Sequence, residues 1–381
     1  MTEPAAGKPR ILHCHSSFSA GGKELRCVQL INAFGPGIEH AIVSGNPERM
    51  EAAKQISRAI PVSYPKEFPS LQGKPLPGRL LKLARALEPY DLVLTYNWGA
   101  IDVVMAHTLF SEALKLPPLI HHEDGFNEDE AAGLKRSRNW YRRIALGKAA
   151  GLVVPSETLE EIALVQWQQP IGRVRRIPNG IDTAAFAKRP RSDALRVVKR
   201  PGEKWVGTLA GLRPVKKLPD LVRAFAKLPP EWQLVIVGEG PQKDAIRAVA
   251  EQLEISHRVH LPGHVAEPAK VVGLFDIFAL SSASEQFPIS AVEAMAAGLP
   301  VAAPAVGDIA RMVASENAPY IVPAGDNQAL GEALGILASD EEERATVGEA
   351  NRRKAKAEFD QGRMIESYRR LYASAMGRPI G

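Results

Sequence analysis

Two glutamates eight positions apart, Glu285 and Glu293, have the spacing in this chain that indicates chemistry most directly. Glu285 precedes Pro288, a residue that can open a helix, and Glu293 lies inside the helix that would follow. One carboxylate thus lies at the start of a helix, and the other lies one or two turns further along it. Because a carboxylate accepts pairs of hydrogen bonds, it suits vicinal sugar hydroxyls. The pair predicts a site for a sugar or a sugar nucleotide.

A basic loop follows a predicted strand and precedes a predicted helix, and it contains Arg213, Lys216 and Lys217. Positive charge at the start of a helix opposes the helix dipole, so these cations are poorly explained by the helix itself. A bound anion would explain them. The alternative is a solvated basic loop, and we favour the anion.

Two glycine-containing turns have the same strand-to-helix setting. Gly21 and Gly22 would let the backbone approach a ligand, with a helix N-terminus behind them that suits a diphosphate. A tight turn explains this pair equally well. Gly238 opens a second such loop, which fits a nucleotide contact at a sheet edge, although a plain turn is the simpler interpretation there.

A cluster of imidazoles and carboxylates ends an apolar run, and it comprises His121, His122, Glu123 and Asp124. No remote partner with zinc-ligand spacing accompanies it, so we discount a metal. A general base or a substrate-orienting group is one interpretation. The other is a set of partners for local backbone groups.

A basic, aromatic stretch occupies residues 135–143. It could contact anionic lipid or an anionic acceptor. A solvated helix face with Trp140 packed inward explains the stretch at least as well. Nucleic acid is disfavoured because no recognised binding module accompanies the charges.

The bulk composition is that of an ordinary globular protein of two or three domains. The chain has 381 residues, 45% of them hydrophobic and 24% charged, with a net charge of +5. Cys14 and Cys27 are its only cysteines, which favours a reducing cytoplasm over a disulfide framework. The N-terminus lacks the apolar core of a signal peptide, and no apolar run is long enough to span a bilayer.

Strand and helix patterns alternate along the chain, which predicts doubly wound parallel sheets. The predicted strands are residues 11–14, 40–43, 91–95, 151–154, 205–209, 233–237, 277–280 and 300–303, and helices are predicted at 24–34 and 219–228. The segment 187–204 is rich in charge and proline and is placed at a domain boundary. Residues 341–376 read as almost entirely helical.

These motifs together resemble the family-4 retaining glycosyltransferases, also described as glycosyl transferases group 1, which have the GT-B fold. The likeness runs through almost the whole chain. Its elements occur in the family's order: the Gly21-Gly22-x-Glu24 loop, Pro155-Ser156, residues 179–182, residues 212–216, residues 238–241, Asp276 and the Glu285-x7-Glu293 block. The last block, which continues into Glu-Ala-Met-Ala-Ala-Gly-Leu-Pro, is the most specific.

The resemblance implies a fold of the α/β class, with two Rossmann-like doubly wound domains facing each other across a cleft. Residues 1–190 would form the acceptor-side domain, joined by a returning helix at about 358–381. Residues 200–357 would form the domain that binds the nucleotide sugar.

The resemblance also assigns roles to residues. Arg213 and Lys216 would grip the diphosphate, Glu285 would face the transferred sugar and Glu293 would hold the ribose. The implied catalytic set is Glu285, Arg213, Lys216, His122 and Asp124, and the implied donor-binding set is Gly21, Gly22, Gly238, Val265, Gln286, Phe287, Pro288, Ile289 and Glu293. No cofactor and no metal is expected, since the cations and two helix N-termini would stabilise the leaving diphosphate.

This chain departs from the family pattern at three positions. Gly211 stands where the family usually has arginine, and Arg213 is then the candidate replacement. Gln286 stands where glycine usually follows the first glutamate, which would reshape the sugar pocket. Asp124 precedes Gly125 where the family often has histidine.

We therefore predict a cytoplasmic enzyme that moves a sugar, with retention, from a nucleotide sugar to a glycan or lipid-linked glycan. It would serve polysaccharide or glycolipid biosynthesis, with peripheral contact to an anionic inner membrane surface as one interpretation of residues 135–143. Two alternatives stay open. One is a GT-B sugar-nucleotide epimerase or hydrolase, and the other is a non-catalytic sugar-nucleotide-binding partner of a polysaccharide assembly complex.

Overall fold

The computed structural model describes residues 7–126, 130 and 133–380. The chain divides into two compact units. One combines the described residues up to Pro178 with those from Met364 onward, and the other is Asn179–Arg363.

The first unit contains a parallel sheet of seven strands among its described residues, in the order β3-β2-β1-β4-β5-β6-β7. The strands are β1 Arg10–His15, β2 Glu39–Ser44, β3 Val62–Ser63, β4 Leu92–Tyr96, β5 Leu119–His122, β6 Gly151–Val154 and β7 Val174–Arg176. The helices are α1 Gly22–Phe34, α2 Pro77–Arg85, α3 Ile101–Leu114, α4 Arg136–Ala145 and α5 Glu157–Val165.

Both faces of this sheet are buried, as the continuous apolar strands predict. Side chains alternate along a strand, so Leu12 and Cys14 of β1 pack on one face while Ile11 packs on the other. The second face also carries His13 and His15, which are buried. The carboxyl ends of the parallel strands meet at one edge, where ligands bind in open α/β sheets.

The second unit has a parallel six-stranded sheet in the order β10-β9-β8-β11-β12-β13. Its strands are β8 Lys204–Leu209, β9 Trp232–Val237, β10 Val259–Gly263, β11 Ile277–Ala279, β12 Val301–Pro304 and β13 Ile321–Val322. Its helices are α6 Thr183–Phe186, α7 Leu218–Phe225, α8 Lys243–Gln252, α9 Ile289–Ala296, α10 Ile309–Met312, α11 Asn327–Ser339 and α12 Glu341–Glu358.

A last helix, α13 Gln361–Met376, supplies the returning segment. Its residues from Met364 onward belong to the first unit, and Tyr368 and Tyr372 are buried in that unit's core. The predicted α/β class and the return of the C-terminal helix are therefore confirmed.

The units meet in sequence earlier than residues 187–204. Ile181 pairs with Asp360 in a parallel bridge, and its N–H donates to Phe359 O at 2.9 Å. Ile181 and Phe186 then pack in the second unit's core. Residues 179–190 were predicted to belong to the N-terminal domain, but they lie in the second unit.

Each strand predicted from the sequence is present, with ends within two residues of those expected. Strand β5 was not predicted from the sequence, because the apolar run ends at Ile120 and the last two residues of the strand are His121 and His122. Polar residues at the end of a strand interrupt the apolar pattern without ending the strand. Among the described residues, no helix has the length and apolar character needed to cross a membrane.

Candidate functional site

An ion pair between Lys216 and Glu285 lies at the centre of the second unit's candidate site. Lys216 Nζ is 2.5 Å from Glu285 Oε1, and Ser282 Oγ donates to the same oxygen at 2.7 Å. The two charged side chains remain 15% and 11% exposed. Because Oε1 takes both donors, Oε2 is left as the acceptor for a ligand, and Lys216 keeps further N–H donors.

Two loops hold this ion pair in place through backbone contacts. Ser281 Oγ donates to Lys216 O at 2.8 Å, and the Ala283 N–H donates to Val215 O at 2.8 Å. The loop that follows β11 is thereby fastened to the short 3-10 helix Pro214–Lys216 that follows β8. Since β8 and β11 are neighbours in the sheet, their carboxyl ends bring the cation and the carboxylate together.

Gln286 lies in a tightly packed part of the same site. A Cβ atom at Gly307, where φ is +56°, would lie 2.2 Å from Glu285 O and 3.0 Å from Gln286 O. Glycine at this position therefore permits the loop of residues 285–286 to pass close to the Gly307 backbone. The side-chain oxygen Gln286 Oε1 is buried and accepts no hydrogen bond from the described residues. It is an acceptor that a sugar hydroxyl could satisfy.

Gly238 allows a second close approach, and this one shapes the loop that carries Arg213. At φ +148°, a Cβ atom there would lie 1.9 Å from Ala210 O. The Leu212 N–H donates to Glu239 O at 2.9 Å. Arg213 itself is exposed and has no carboxylate partner among the described residues. The glycine loop thus fixes the backbone from which this free guanidinium extends.

Glu293 lies in α9 and is partly exposed. Desolvation by burial raises the pKa of its carboxyl to about 7. Within the described part of the chain, no side chain or backbone group donates a hydrogen bond to this carboxyl. A group that can gain or lose a proton near neutral pH therefore lies about one turn into the helix.

The other predicted donor residues also lie in the second unit. Pro288 is the N-cap of α9, so Ile289 is its first residue. Phe287 packs edge-to-face on Phe359 with ring centroids 5.7 Å apart. Val265 follows β10 and packs against the same apolar core as Phe287. These residues support the helix mouth with apolar contacts.

The Gly21–Gly22 turn belongs to the first unit, where Gly21 is the N-cap of α1. A Cβ atom at Gly21 would lie 2.7 Å from Glu24 Oε2. Glu24 is buried and pairs with Lys23 at 2.5 Å. An acidic group therefore already faces the positive end of this helix, with a lysine beside it.

His122 and Asp124 have different surroundings in the first unit. His122 is buried, its Nε2 lies 2.8 Å from Tyr372 OH and its Nδ1 lies 3.1 Å from Thr95 O. Desolvation, and then the Arg26 charge, lower the pKa of His122 to about 3. Both ring nitrogens of this neutral imidazole thus have partners inside the protein.

Asp124 is partly exposed and pairs with Arg26 through both carboxylate oxygens, one of them 2.9 Å from Arg26 Nη2. Burial raises the pKa of Asp124, but the Arg26 guanidinium outweighs this, and the net shift is downward. The resemblance assigns both His122 and Asp124 to the catalytic set. Of these two side chains, only Asp124 has exposed surface that a substrate can contact.

A buried cluster of His13, His15 and Cys27 could supply metal ligands. Its donor atoms lie within 4.8 Å of one another, a set that suits zinc or copper. Cys27 Sγ is 3.3 Å from His13 Nδ1, and desolvation raises the pKa of this thiol to about 12. A metal would have to displace the thiol proton, so the protein environment favours a neutral polar network. The expected absence of a metal stays a prediction.

The basic stretch forms α4. Its Trp140 is 61% exposed, so this side chain does not pack inward, and the interpretation with an inward Trp140 is wrong. Arg142 is the buried residue, with its guanidinium over the rings of Trp98, Phe126 and Trp167. Residues 127–129, 131 and 132 lie outside the described residues.

The structure therefore brings Lys216 and Glu285 together within one unit and adds groups that sequence reasoning missed. Ser281, Ser282 and Gly307 are the missed residues. A serine three residues ahead of a loop glutamate, as Ser282 is, gives only a weak signal that it donates to the carboxylate. Gly307 gives no local signal, since its role depends on a segment more than twenty residues away.

Two family models match the chain, one on each side of residues 186–192. Residues 20–185 match the family described as Glycosyltransferase Family 4, and residues 193–354 match the family described as Glycosyl transferases group 1. N-acetyl-alpha-D-glucosaminyl L-malate synthase of Bacillus anthracis is 27% identical over 281 residues, covering 72% of this chain and 71% of that protein. A D-inositol 3-phosphate glycosyltransferase of Xylanimonas cellulosilytica is 30% identical over 221 residues, covering 55% of this chain and 53% of that protein.

A solved structure extends the likeness to the fold. Anabaena Alr3699/HepE in complex with UDP superposes with a TM-score of 0.78 at 20% identity, covering 96% of this chain and 100% of that one. Sucrose-phosphate synthase of Thermosynechococcus elongatus gives a TM-score of 0.76 at 22% identity, covering 97% and 99%. At this level of identity, the likeness establishes a shared fold.

Proposed function

The chain belongs to the family-4 glycosyltransferases, which have the GT-B fold, and we propose that it transfers a sugar from a nucleotide-diphosphate sugar to a hydroxyl group with retention of configuration. The acceptor would be a glycan or a lipid-linked glycan in cell-surface polysaccharide or glycolipid biosynthesis. The observation that carries this proposal is the Lys216–Glu285 pair with Ser282 on the same carboxylate oxygen.

The geometry supports a division of labour around the donor. Glu285 Oε2 would accept a hydroxyl of the transferred sugar, and Glu293 would accept from the ribose. Lys216 and the free Arg213 would bind the diphosphate. Departure of the nucleoside diphosphate concentrates negative charge on a phosphate oxygen, and fixed cations stabilise that charge most where water is excluded. The transfer would then need no metal.

Retention would follow from attack on the face from which the diphosphate leaves. The acceptor oxygen forms its bond to the anomeric carbon while the bond to the phosphate oxygen breaks. That phosphate oxygen then takes the acceptor proton. Asp124 is the acceptor-side candidate because it is partly exposed, whereas His122 is buried with both nitrogens partnered.

Substitution of the ion pair tests this proposal. UDP-glucose is the first donor to try, since the similar Anabaena protein has been solved with it. We expect Lys216→Ala to lower kcat/KM by about 10²–10³-fold, the usual cost of removing one group that stabilises developing charge. Glu285→Gln replaces a charge-assisted hydrogen bond to the sugar with a neutral one and should lower kcat/KM by about 10–100-fold. Lys227→Ala, an exposed lysine of the same unit, is the control. Near-normal turnover in both site variants, with folding intact, would contradict the proposed mechanism.

The two alternatives give different results in the same assay. An epimerase or hydrolase would convert the donor when no acceptor is present. A non-catalytic binding partner would bind the donor in a calorimeter and turn over none of it with any acceptor. The proposed transferase consumes donor in proportion to glycosylated acceptor, and a chelator leaves that rate unchanged.

Two further expectations concern location. The cytoplasmic setting predicted from the sequence stays a prediction. A peripheral contact with an anionic membrane is proposed for α4, whose exposed Trp140 and Ile144 lie one turn apart.

A further inference from the structure

A large apolar cavity lies in the first unit, apart from every residue assigned so far. Its volume is about 850 Å³, within the range of small-molecule sites. Apolar side chains dominate its lining, among them Val43, Met50, Tyr64, Phe68 and Leu71. Tyr64 is 45% exposed, so the cavity is accessible from outside.

The position of the cavity in the sheet is that of a ligand site. It begins at the carboxyl end of β2, where Gly45 N–H donates to His15 O at the end of β1. The Ala52 N–H donates to Phe18 O at 3.1 Å, which ties the cavity wall to the loop that leads into α1. In open α/β sheets, ligands bind outside the carboxyl ends of the strands. Phe18 thus connects the cavity wall to the loop that leads to the Gly21–Gly22 turn.

The charged residues of the lining are both cationic. They are Lys54 and Lys66, and the lining contains no aspartate or glutamate. Both lysines are exposed, and neither has a carboxylate partner within the part of the chain that the structure describes. An apolar space with unpaired ammonium groups suits a molecule with an apolar chain and an anionic group.

We infer that this cavity binds the apolar chain of an amphiphilic acceptor, with the acceptor's phosphate group against Lys54 and Lys66. This rests on the proposed glycosyl transfer and narrows its acceptor to the lipid-linked class. A free glycan would leave the apolar lining exposed, and a neutral lipid would leave both lysines unpaired.

A series of n-alkyl phosphates with four to twelve carbons tests the inference by calorimetry, without any donor and below the concentration at which micelles form. Each additional methylene that enters the cavity should tighten binding about fourfold, until the cavity is full and the affinity levels off. Inorganic phosphate should bind at least 100-fold more weakly than the best alkyl phosphate. An alkyl glucoside of the same chain length should bind about tenfold more weakly. No dependence on chain length, or no binding at all, overturns the inference.

Two kinds of variant locate the binding. Ala53→Trp fills the cavity from its partly exposed rim and should abolish the chain-length dependence. Lys54→Glu with Lys66→Glu should weaken the alkyl phosphate at least tenfold and leave the alkyl glucoside unchanged. Lys227→Glu makes the same change of charge outside the cavity and should have no effect. Unaltered affinity in both cavity variants, with melting temperatures near that of the native protein, rules out this cavity.

The inference and the proposed function fail in different ways. If alkyl phosphates bind as expected but no nucleotide sugar is ever consumed, the transferase proposal fails and the amphiphile site stands. If sugar is transferred to an acceptor without an apolar chain and alkyl phosphates do not bind, the transferase proposal stands and the amphiphile site fails.

Discussion

The two carboxylate oxygens of Glu285 have different surroundings, and this difference fixes how the residue can act. Oε1 accepts from Ser282 and faces Lys216, whereas Oε2 has no donor among the described residues. A hydrogen bond to a charged group contributes about 1.5–3 kcal/mol, so Ser282 restrains the carboxylate appreciably. The free oxygen is thereby held at one position instead of sampling several.

Removal of the Ser282 hydroxyl tests this restraint. We expect Ser282→Ala to lower kcat by about tenfold or more, because the carboxylate loses a charge-assisted hydrogen bond that orients it. Ser282→Thr should recover most of the rate, since it restores the hydroxyl. Ser284→Ala, a neighbouring serine whose side chain has no hydrogen bond among the described residues, is the control. Equal rates in the two alanine variants would show that Ser282 does not position Glu285.

The raised pKa of the Glu293 carboxyl predicts that a proton is released when the donor binds. Its carboxyl is about half protonated at pH 7, because burial raises its pKa to about 7. Ribose hydroxyls that donate to this carboxyl favour its charged form, so binding should release about half a proton per donor at pH 7. Titration calorimetry in buffers of different ionisation enthalpy measures this number. Glu293→Gln should bring it close to zero, and an unchanged value would show that Glu293 does not contact the ribose.

The same shift predicts how stability responds to pH. The folded chain holds the Glu293 proton more tightly than the unfolded chain, whose reference pKa is 4.5. The favourable contribution is therefore complete below about pH 4.5 and is lost as the pH rises through about 7. Glu293→Gln should raise the free energy of unfolding at pH 8 by about 1–3 kcal/mol, since no partly buried charge remains. Urea denaturation at pH 5 and pH 8 measures the difference.

Helix α4 exposes two large apolar residues, although Ala145 and Tyr141 of the same helix pack on the core of the first unit. Trp140 and Ile144 are 61% and 53% exposed and lie four residues apart, and Arg143 lies over the Trp140 ring. Exposed tryptophan beside arginine is typical of a helix that lies at a membrane interface. The buried Arg142 fixes which face of the helix points outward.

Vesicle binding tests the role of α4. We expect the native protein to sediment with vesicles that contain phosphatidylserine and to remain in solution with neutral vesicles or at high salt. Trp140→Ala with Ile144→Ser should weaken this binding about tenfold or more. Ile336→Ser is the matched control, because Ile336 is 56% exposed in α11 of the other unit. If the α4 variant and the control sediment equally, another surface makes the contact.

The sequence predicted elements better than it predicted contacts. Strand β6 and residues 234–237 of β9 are continuous apolar runs, so their positions follow from composition alone. The site behaved differently. The Glu285–Glu293 spacing and the basic loop were visible, but the Ser282 contact depends on side-chain geometry. The cavity lined by Met50 and Phe68 is formed by segments that share no sequence pattern, so no periodicity in the sequence predicts it.

The chain crosses between its two units twice, and the first crossing lies earlier in the sequence than the predicted boundary near residue 190. Charge and proline mark residues 187–204, yet the unit boundary falls at Pro178 because Ile181 pairs with the segment that precedes α13. A pairing of residues far apart in sequence leaves no compositional trace. The first unit is therefore completed by the last residues of the chain.

Removal of residues 364–381 should consequently unfold the first unit and spare the second. Tyr368 and Tyr372 are fully buried, and loss of a large buried aromatic costs about 3–5 kcal/mol, so losing both approaches the stability of a typical domain. Tyr372→Phe should lower the free energy of unfolding by only about 1–3 kcal/mol, because it leaves His122 Nε2 without its partner.

Hydrogen exchange followed by mass spectrometry measures the stability of the two units separately. In the truncated protein, β1 and β4 should lose protection while β8 and β9 keep it. Retained protection in β1 and β4 would mean that the first unit does not need the returning helix, whereas a loss in both sheets would mean that the units unfold as one.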